Sequence, residues 1–238
     1  MKLKVQYGTK ELEFKVEFRN RDTMSISVEP PNNILVVAPI GTPEEDIKGI
    51  VKSRGRWIVQ KLFEFRNIDA KRIDREFVNG ESFMYLGRSY SLQIYVDETL
   101  QNDFNVKLFR GKFHVHVKEK SDEIIKAAME AWYREKTEEQ VKKRIKYYQK
   151  FFDKKPSSIK VKEQKKRWAS CTSNDELLFN WRCAMAKATA LDYIVVHEMC
   201  HMYYKNHSQV FWDLLASVMS DYETRKEWLR DYGIRMDL

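Results

Sequence analysis

Cysteine, proline and glycine are all scarce in this chain, and each scarcity excludes something. Its 238 residues include three cysteines, five prolines and eight glycines. Cys171, Cys183 and Cys200 are too few, and odd in number, for a disulfide framework, so a cytoplasmic location is expected. So little Pro and Gly excludes collagen-like and low-complexity readings. No apolar run approaches the roughly 18 residues that span a bilayer, so no membrane partner is expected. Residues 1–7 lack the apolar stretch of a signal peptide. No internal repeat is visible. Charge and aromatics are plentiful: 33% of residues are charged, 43% hydrophobic and 13% aromatic, a balance that builds a packed core. The formal charge of +8 permits nucleic-acid contact. Its sources are spread along the chain, however, with one modest cluster at Lys160, Lys162, Lys165, Lys166 and Arg167. No nucleic-acid-binding motif stands beside them, and a solvated basic surface is the simpler reading.

Period-two alternation dominates residues 1–40 and reads as an antiparallel meander. Thr42-Pro43-x-Glu45 then predicts a capped helix to about residue 65, with Ile47, Ile50, Val51, Trp57, Ile58 and Leu62 inward. Gly49 and Gly55 weaken its continuity. Strands return over 77–117, with a hairpin turning at Gly87. His114 and His116, at strand spacing on one face, are a metal pair only if a third ligand joins them. A long helix follows from Ser121, with a possible break at Thr137. Short strands are expected at 159–162 and 177–182, and helices at 188–205, 209–220 and 222–231. The fold class is therefore α+β. An antiparallel β-rich N-terminal lobe, 1–120, with a helix at about 43–65, precedes a helical lobe, 121–238, with a small mixed sheet. The two are expected to form one continuous unit.

The chemistry concentrates at His197-Glu198-Met199-Cys200-His201. At about 100° per residue, the two histidines lie only about 40° apart around a helix and one turn apart along it. Both imidazoles can reach one ion. Glu198 lies about 80° to one side, placed to handle the proton of an attacking water rather than to ligate. His207 follows in a bend where Asn206 ends one helix and Ser208 caps the next, and it is the candidate third ligand. Three histidines leave a zinc ion one open position, the pattern of a catalytic site with one zinc per chain. Cys200 is either a fourth ligand, which would close the site, or a buried packing residue; packing is favoured.

Several stretches in order, Tyr85-Leu86-Gly87-Arg88-x-Tyr90, Arg167-Trp168-Ala169-Ser170-Cys171, Asn180-Trp181-Arg182, residues 192–201 and Asn206-His207-Ser208-x-x-Phe211-Trp212, resemble the YgjP-like metallopeptidase-domain family of zincin-like proteins. Residues 1 to about 75 carry little of this resemblance, and Ala169 stands where Gly is commoner. The resemblance implies zinc on His197, His201 and His207, with Glu198 catalytic. Metzincins differ, because Tyr204 stands where they place Gly. The chain is thus expected to be a zinc-dependent hydrolase, first a peptidase acting on a peptide substrate. The alternatives are a nucleotide phosphohydrolase of the nucleoside triphosphate pyrophosphatase type, a nucleic-acid-associated metalloprotein and a structural zinc domain. Strand 177–182 is expected at a sheet edge that pairs with substrate. Arg167 or Arg182 would bind a substrate carboxylate, phosphate or oxyanion. Trp168 and Trp181 are expected to pack. Asp221 would orient a ligand histidine or cap a helix.

Overall fold

The computed structural model describes residues 1–29, 32–65, 75–164 and 167–238; Lys165 and Lys166 of the basic cluster lie outside them. The chain falls into two compact units, Met1–Lys71 and Arg72–Leu238. Residue 120, where strands give way to helices, lies inside the second unit. Phe113, Val115 and Val117 before it share one core with Ile125, Met129 and Tyr133 after it.

In the first unit β1 (Lys2–Tyr7), β2 (Lys10–Arg19), β3 (Ser25–Glu29) and β4 (Asn33–Pro39) form one sheet in the order β1-β2-β4-β3. The sheet is not a meander. β2 pairs parallel with β4, so the two strands richest in buried side chains, Leu12, Phe14 and Val16 on one and Ile34, Val36 and Ala38 on the other, hold the centre. Half-buried β3 is left at the edge. Alternation assigns a face to each residue but does not choose the partner strand.

The predicted helix is two helices, α1 (Glu44–Ser53) and α2 (Gly55–Phe65), broken at Arg54. Ile47, Val51 and Ile58 are fully buried, whereas Ile50 and Trp57, expected inward, are exposed: the buried stripe is narrow, running 47, 51, 55 and 58, and Ile50 and Trp57 lie to its side. No capping box forms. The Thr42 hydroxyl donates instead to the Pro39 carbonyl at 2.8 Å, and Pro43 takes the cap position. Gly55 is required by packing, since a Cβ there would stand 2.2 Å from the Tyr7 ring.

The second unit opens with the same strand order. β5 (Ser82–Tyr85), β6 (Arg88–Val96), β7 (Phe104–Phe109) and β8 (Lys112–Val117) lie as β5-β6-β8-β7, with β6 and β8 parallel. The hairpin at Gly87 forms as predicted, with Leu86 at φ 47° and Gly87 at φ 78°, the two positive angles of a tight hairpin turn. One face of this sheet packs on α3 (Asp122–Tyr148), which runs unbroken past Thr137. The Thr137 hydroxyl is buried and donates to the Trp181 carbonyl at 2.6 Å, so this residue is a tertiary tie rather than a helix cap.

A three-stranded sheet follows: β9 (Ser158–Lys162), β10 (Ala169–Cys171) and β11 (Glu176–Asn180), ordered β10-β11-β9. This overturns the expected edge position of 177–182. β11 is central, antiparallel to β10 and parallel to β9, and residues 181–185 are a 3-10 turn. Leu177 and Phe179 are fully buried, which holds β11 between its neighbours. Then come α4 (Ala188–Cys200), α5 (Gln209–Val218) and α6 (Tyr222–Tyr232). Ala190, Leu191, Val195, Val196, Met199 and Cys200 of α4 are all fully buried. A helix apolar on every side must be enclosed, and each large aliphatic side chain so buried contributes about 1.5–3 kcal/mol. No helix among the described residues is long and apolar enough to cross a membrane.

Gly87 tests the packing that closes this unit. Its amide donates to the Met185 carbonyl at 3.1 Å. A Cβ there would stand 2.7 Å from the Lys187 Cα, whereas at Gly111, also at positive φ, it would meet nothing within 4 Å. Gly111→Ala should therefore cost about 1 kcal/mol of backbone strain, and Gly87→Ala a further 1–3 kcal/mol, roughly, of overpacking. Denaturant unfolding compares them; equal costs would contradict this packing.

Candidate metal centre

The last turn of α4 carries His197, and His201 stands at its C-cap. The helix ends there, sooner than predicted. The chain turns through residues 201–203 and restarts at Ser208, the N-cap of α5. Asn206 is not left-handed; its side-chain oxygen accepts from the Ser208 amide at 3.3 Å. This bend returns His207 to the helix it has just left. The Nε2 atoms of His207 and His197 are 3.0 Å apart. One ligand nitrogen from each of His197, His201 and His207 lies within 4.8 Å of the others, and this is the one such group among the described residues. Fully buried Phe211 backs all three rings, 4.6 Å from His201, 4.8 Å from His207 and 4.9 Å from His197 between centroids.

Each ring has an anchor on its far side or a packing partner. His201 Nδ1 donates to the Tyr204 carbonyl at 2.8 Å, which leaves Nε2 bare. The Tyr193 hydroxyl lies 3.4 Å from His197 Nδ1. Trp212 stacks on His207 at 5.5 Å. Sequence reasoning missed Tyr193, although it lies four residues before His197 on the same helix face, where such a support is to be sought.

The electrostatics favour a cation. Burial, then the neighbouring His201 and His207, pushes the pKa of His197 down to about 3. Burial also lowers His201 and His207. At neutral pH all three are neutral imidazoles with lone pairs to donate, the form that binds metals. The Nε2 atoms of His197 and His207, 3.0 Å apart, are close to the spacing of ligands sharing one tetrahedral zinc, about 3.4 Å for bonds of about 2.0–2.1 Å. Glu198 is buried beside them in sequence, and its Oε2 has no hydrogen-bond partner. Burial raises its pKa to about 8, and the charge of Arg167 partly opposes this. The donor set and the partnerless buried oxygen therefore fit a divalent cation. Cys200 does not join the group: it is fully buried, and burial pushes its thiol up to about 12, so it stays protonated.

The remaining candidates divide. Arg167 is exposed and close enough to Glu198 for its charge to be felt there. Asn180, nearly fully buried, donates through Nδ2 to the carbonyls of Gln164 at 2.7 Å and Arg167 at 3.1 Å, and so fixes the segment that carries Arg167. Arg182 is already committed, donating to Asp237 at 2.8 Å and to Glu163 at 3.2 Å with its guanidinium over the Trp181 ring. The Asp221 carboxylate takes both its bonds from Arg225 Nε at 2.9 Å rather than from a histidine. Asp221 does hold the N-cap position of α6, without a side-chain capping bond. Trp181 is buried, and Trp168 packs on Gly233, as expected of both. His114 and His116 lie on β8 beside Tyr95, and no third ligand joins them among the described residues.

A family model described as YgjP-like, metallopeptidase domain matches residues 22–232. No curated protein matches the chain. A solved structure, the crystal structure of the metallopeptidase zymogen of Pyrococcus abyssi abylysin, is 16% identical, with 37% of this chain and 87% of that chain covered at a TM-score of 0.33, a likeness too slight to bear on the fold.

The buried carboxyl has a pH signature in the metal-free protein. Glu198 ionises near 4.5 when unfolded and near 8 when folded. Between those values the folded state holds the extra proton, so the Glu198 contribution lowers stability as pH rises from 4.5 to 8; the lowered His197 pKa acts in the opposite direction below 6.5 and is common to wild type and Glu198→Gln. Glu198→Gln cannot titrate. By denaturant unfolding, the stability of metal-free Glu198→Gln relative to metal-free wild type should rise between pH 4.5 and 8, stay flat below that window and hold its full gain above it. A difference independent of pH would contradict a buried, partnerless carboxyl.

Proposed function

The chain belongs to the YgjP-like metallopeptidase-domain family, and from that membership we propose that it is a zinc-dependent peptidase. His197, His201 and His207 hold one zinc per chain, and Glu198 is the general base. The observation that supports this most is the convergence of three neutral imidazoles within 4.8 Å, while Glu198, the residue after His197, carries a buried carboxyl oxygen with no partner. Zinc held there supplies Lewis acidity toward a scissile carbonyl and acidifies a water. The protein's own groups do the rest. Glu198 Oε2 takes the proton of the attacking water and returns it to the leaving amine. Its apolar surroundings keep the carboxylate basic, and the Arg167 charge limits that effect. The Tyr204 carbonyl holds the His201 ring in the tautomer that presents Nε2.

The peptide pairs with β10. This strand ends its sheet, is hydrogen-bonded on one side by β11, and lies against α4, the helix of His197 and Glu198. An extended substrate added to the free edge of residues 169–171 runs beside the catalytic helix. Arg167, two residues before that strand and exposed, binds a substrate carboxylate or a developing oxyanion. The three free thiols suit the cytoplasm.

Zinc content and cleavage of a mixed peptide library test this reading together, with nucleoside triphosphates as the competing substrate. Wild type should hold about one zinc and cleave peptides. Glu198→Gln should keep the zinc and lose about a hundredfold or more in turnover, and His207→Ala should lose most of the zinc. Full zinc in His207→Ala would remove that residue from the site. Hydrolysis of triphosphates without peptide cleavage would contradict the peptidase.

A further inference from the structure

The outer face of the β5-β6-β8-β7 sheet carries groups that the metal centre does not use. Its inner face, with Leu92, Phe113, Val115 and Val117, is fully buried, so alternate residues point outward. Register sets Tyr95 opposite His116, Lys107 opposite His114 and Phe109 opposite Lys112 on that outer face. The Tyr95 ring lies nearly parallel to both histidines, at 17° and 4.7 Å from His116 and at 9° and 5.8 Å from His114. Its hydroxyl is 3.2 Å from His114 Nδ1. Phe109 is 58% exposed, although it ends a strand whose inner residues are covered. The Arg110 guanidinium stands 5.1 Å from its ring centroid. β6, β7 and β8 contain no Asp or Glu at all.

We propose that this face binds single-stranded RNA. Unpaired bases stack on exposed aromatic rings whatever their sequence, and a sheet presents such rings in a row at the spacing of successive nucleotides. The ring row of Tyr95, His114 and His116 accepts one base on its open end, and Phe109 with Arg110 accepts another. Lys107, Arg110 and Lys112 meet the phosphates; the nearby carboxylates lie at the strand ends, Asp97 beside His116 and Asp103 paired with Lys118 at 3.5 Å. Gln93, opposite His114, and Asn105, opposite His116, offer neutral donors and acceptors to ribose 2′-hydroxyls, which favours RNA over DNA. The chain's net charge of +8 adds a field of the right sign.

Fluorescence anisotropy of the full chain with a labelled, mixed-sequence RNA of about 12 nucleotides, starting near 50 mM salt, tests this. Affinity should fall with salt at a log–log slope of about −2 for three phosphate contacts on a single strand. Tyr95→Ala and Phe109→Ala should each weaken binding by about tenfold, and Tyr95→Phe should not, because the ring is kept. Lys107→Ala with Lys112→Ala should bring the slope down by about 1.4 in magnitude. Circular dichroism and zinc content should match wild type in every variant, so a loss of binding is not a loss of fold. Absence of binding at low salt, affinities unchanged by both alanine variants, or equal or tighter binding of the matching DNA or of duplex RNA would overturn the proposal.

Discussion

Enclosure of α4 is the constraint on which the second unit depends. The helix is apolar around its circumference and therefore packs on every side, yet its last turn has to present two imidazoles and a carboxylate. Both demands are met by ending the helix at Cys200 and folding the chain back at once, so that His207 and Phe211 close over the end that the core leaves open. The surrounding elements follow from this enclosure. α3 ties to the turn before α4 through Thr137 and the Trp181 carbonyl, and the hairpin at Gly87 hydrogen-bonds to Met185 in the same turn. Arg144 of α3 and Arg225 of α6 both meet Asp192 on the first half of α4, at 2.8 and 3.6 Å.

The same burial sets the chemistry. It strips the histidines of their protons and holds one on Glu198, so the metal-free centre carries little charge in spite of four titratable groups. A cation entering it meets three neutral imidazoles. The apolar surroundings penalise an ionised Glu198 in the metal-free state.

What was legible in the sequence was local. His197, His201 and His207 lie within eleven residues; helical geometry pairs the first two, and the bend expected before Ser208 returns the third, although the helix ends at Cys200 rather than at Asn206. The hairpin at Gly87, the three C-terminal helices and the packing role of Cys200 were legible for the same reason. What depends on distant partners was not. β11 reads as an edge strand until β9 and β10 pair with it on both sides. The first sheet reads as a meander because β2 and β4 are separated by β3, and nothing in their alternation shows that they pair. Arg182 and Asp221 looked available because Asp237 and Arg225, which engage them, are chosen by tertiary structure. The shared order of the two four-stranded sheets is likewise invisible in their residues: topology repeats where sequence does not.

The coordination shell decides the matter most directly, since ligand identity separates an open catalytic centre from a closed structural one. Zinc K-edge absorption on the loaded protein reads it without any assumption about substrate. Nitrogen and oxygen scatterers alone, at about 2.0–2.1 Å, with the multiple scattering of three imidazoles, are the expected result. A sulfur shell at about 2.3 Å would place a cysteine on the metal, close the site and contradict a zinc centre built for hydrolysis.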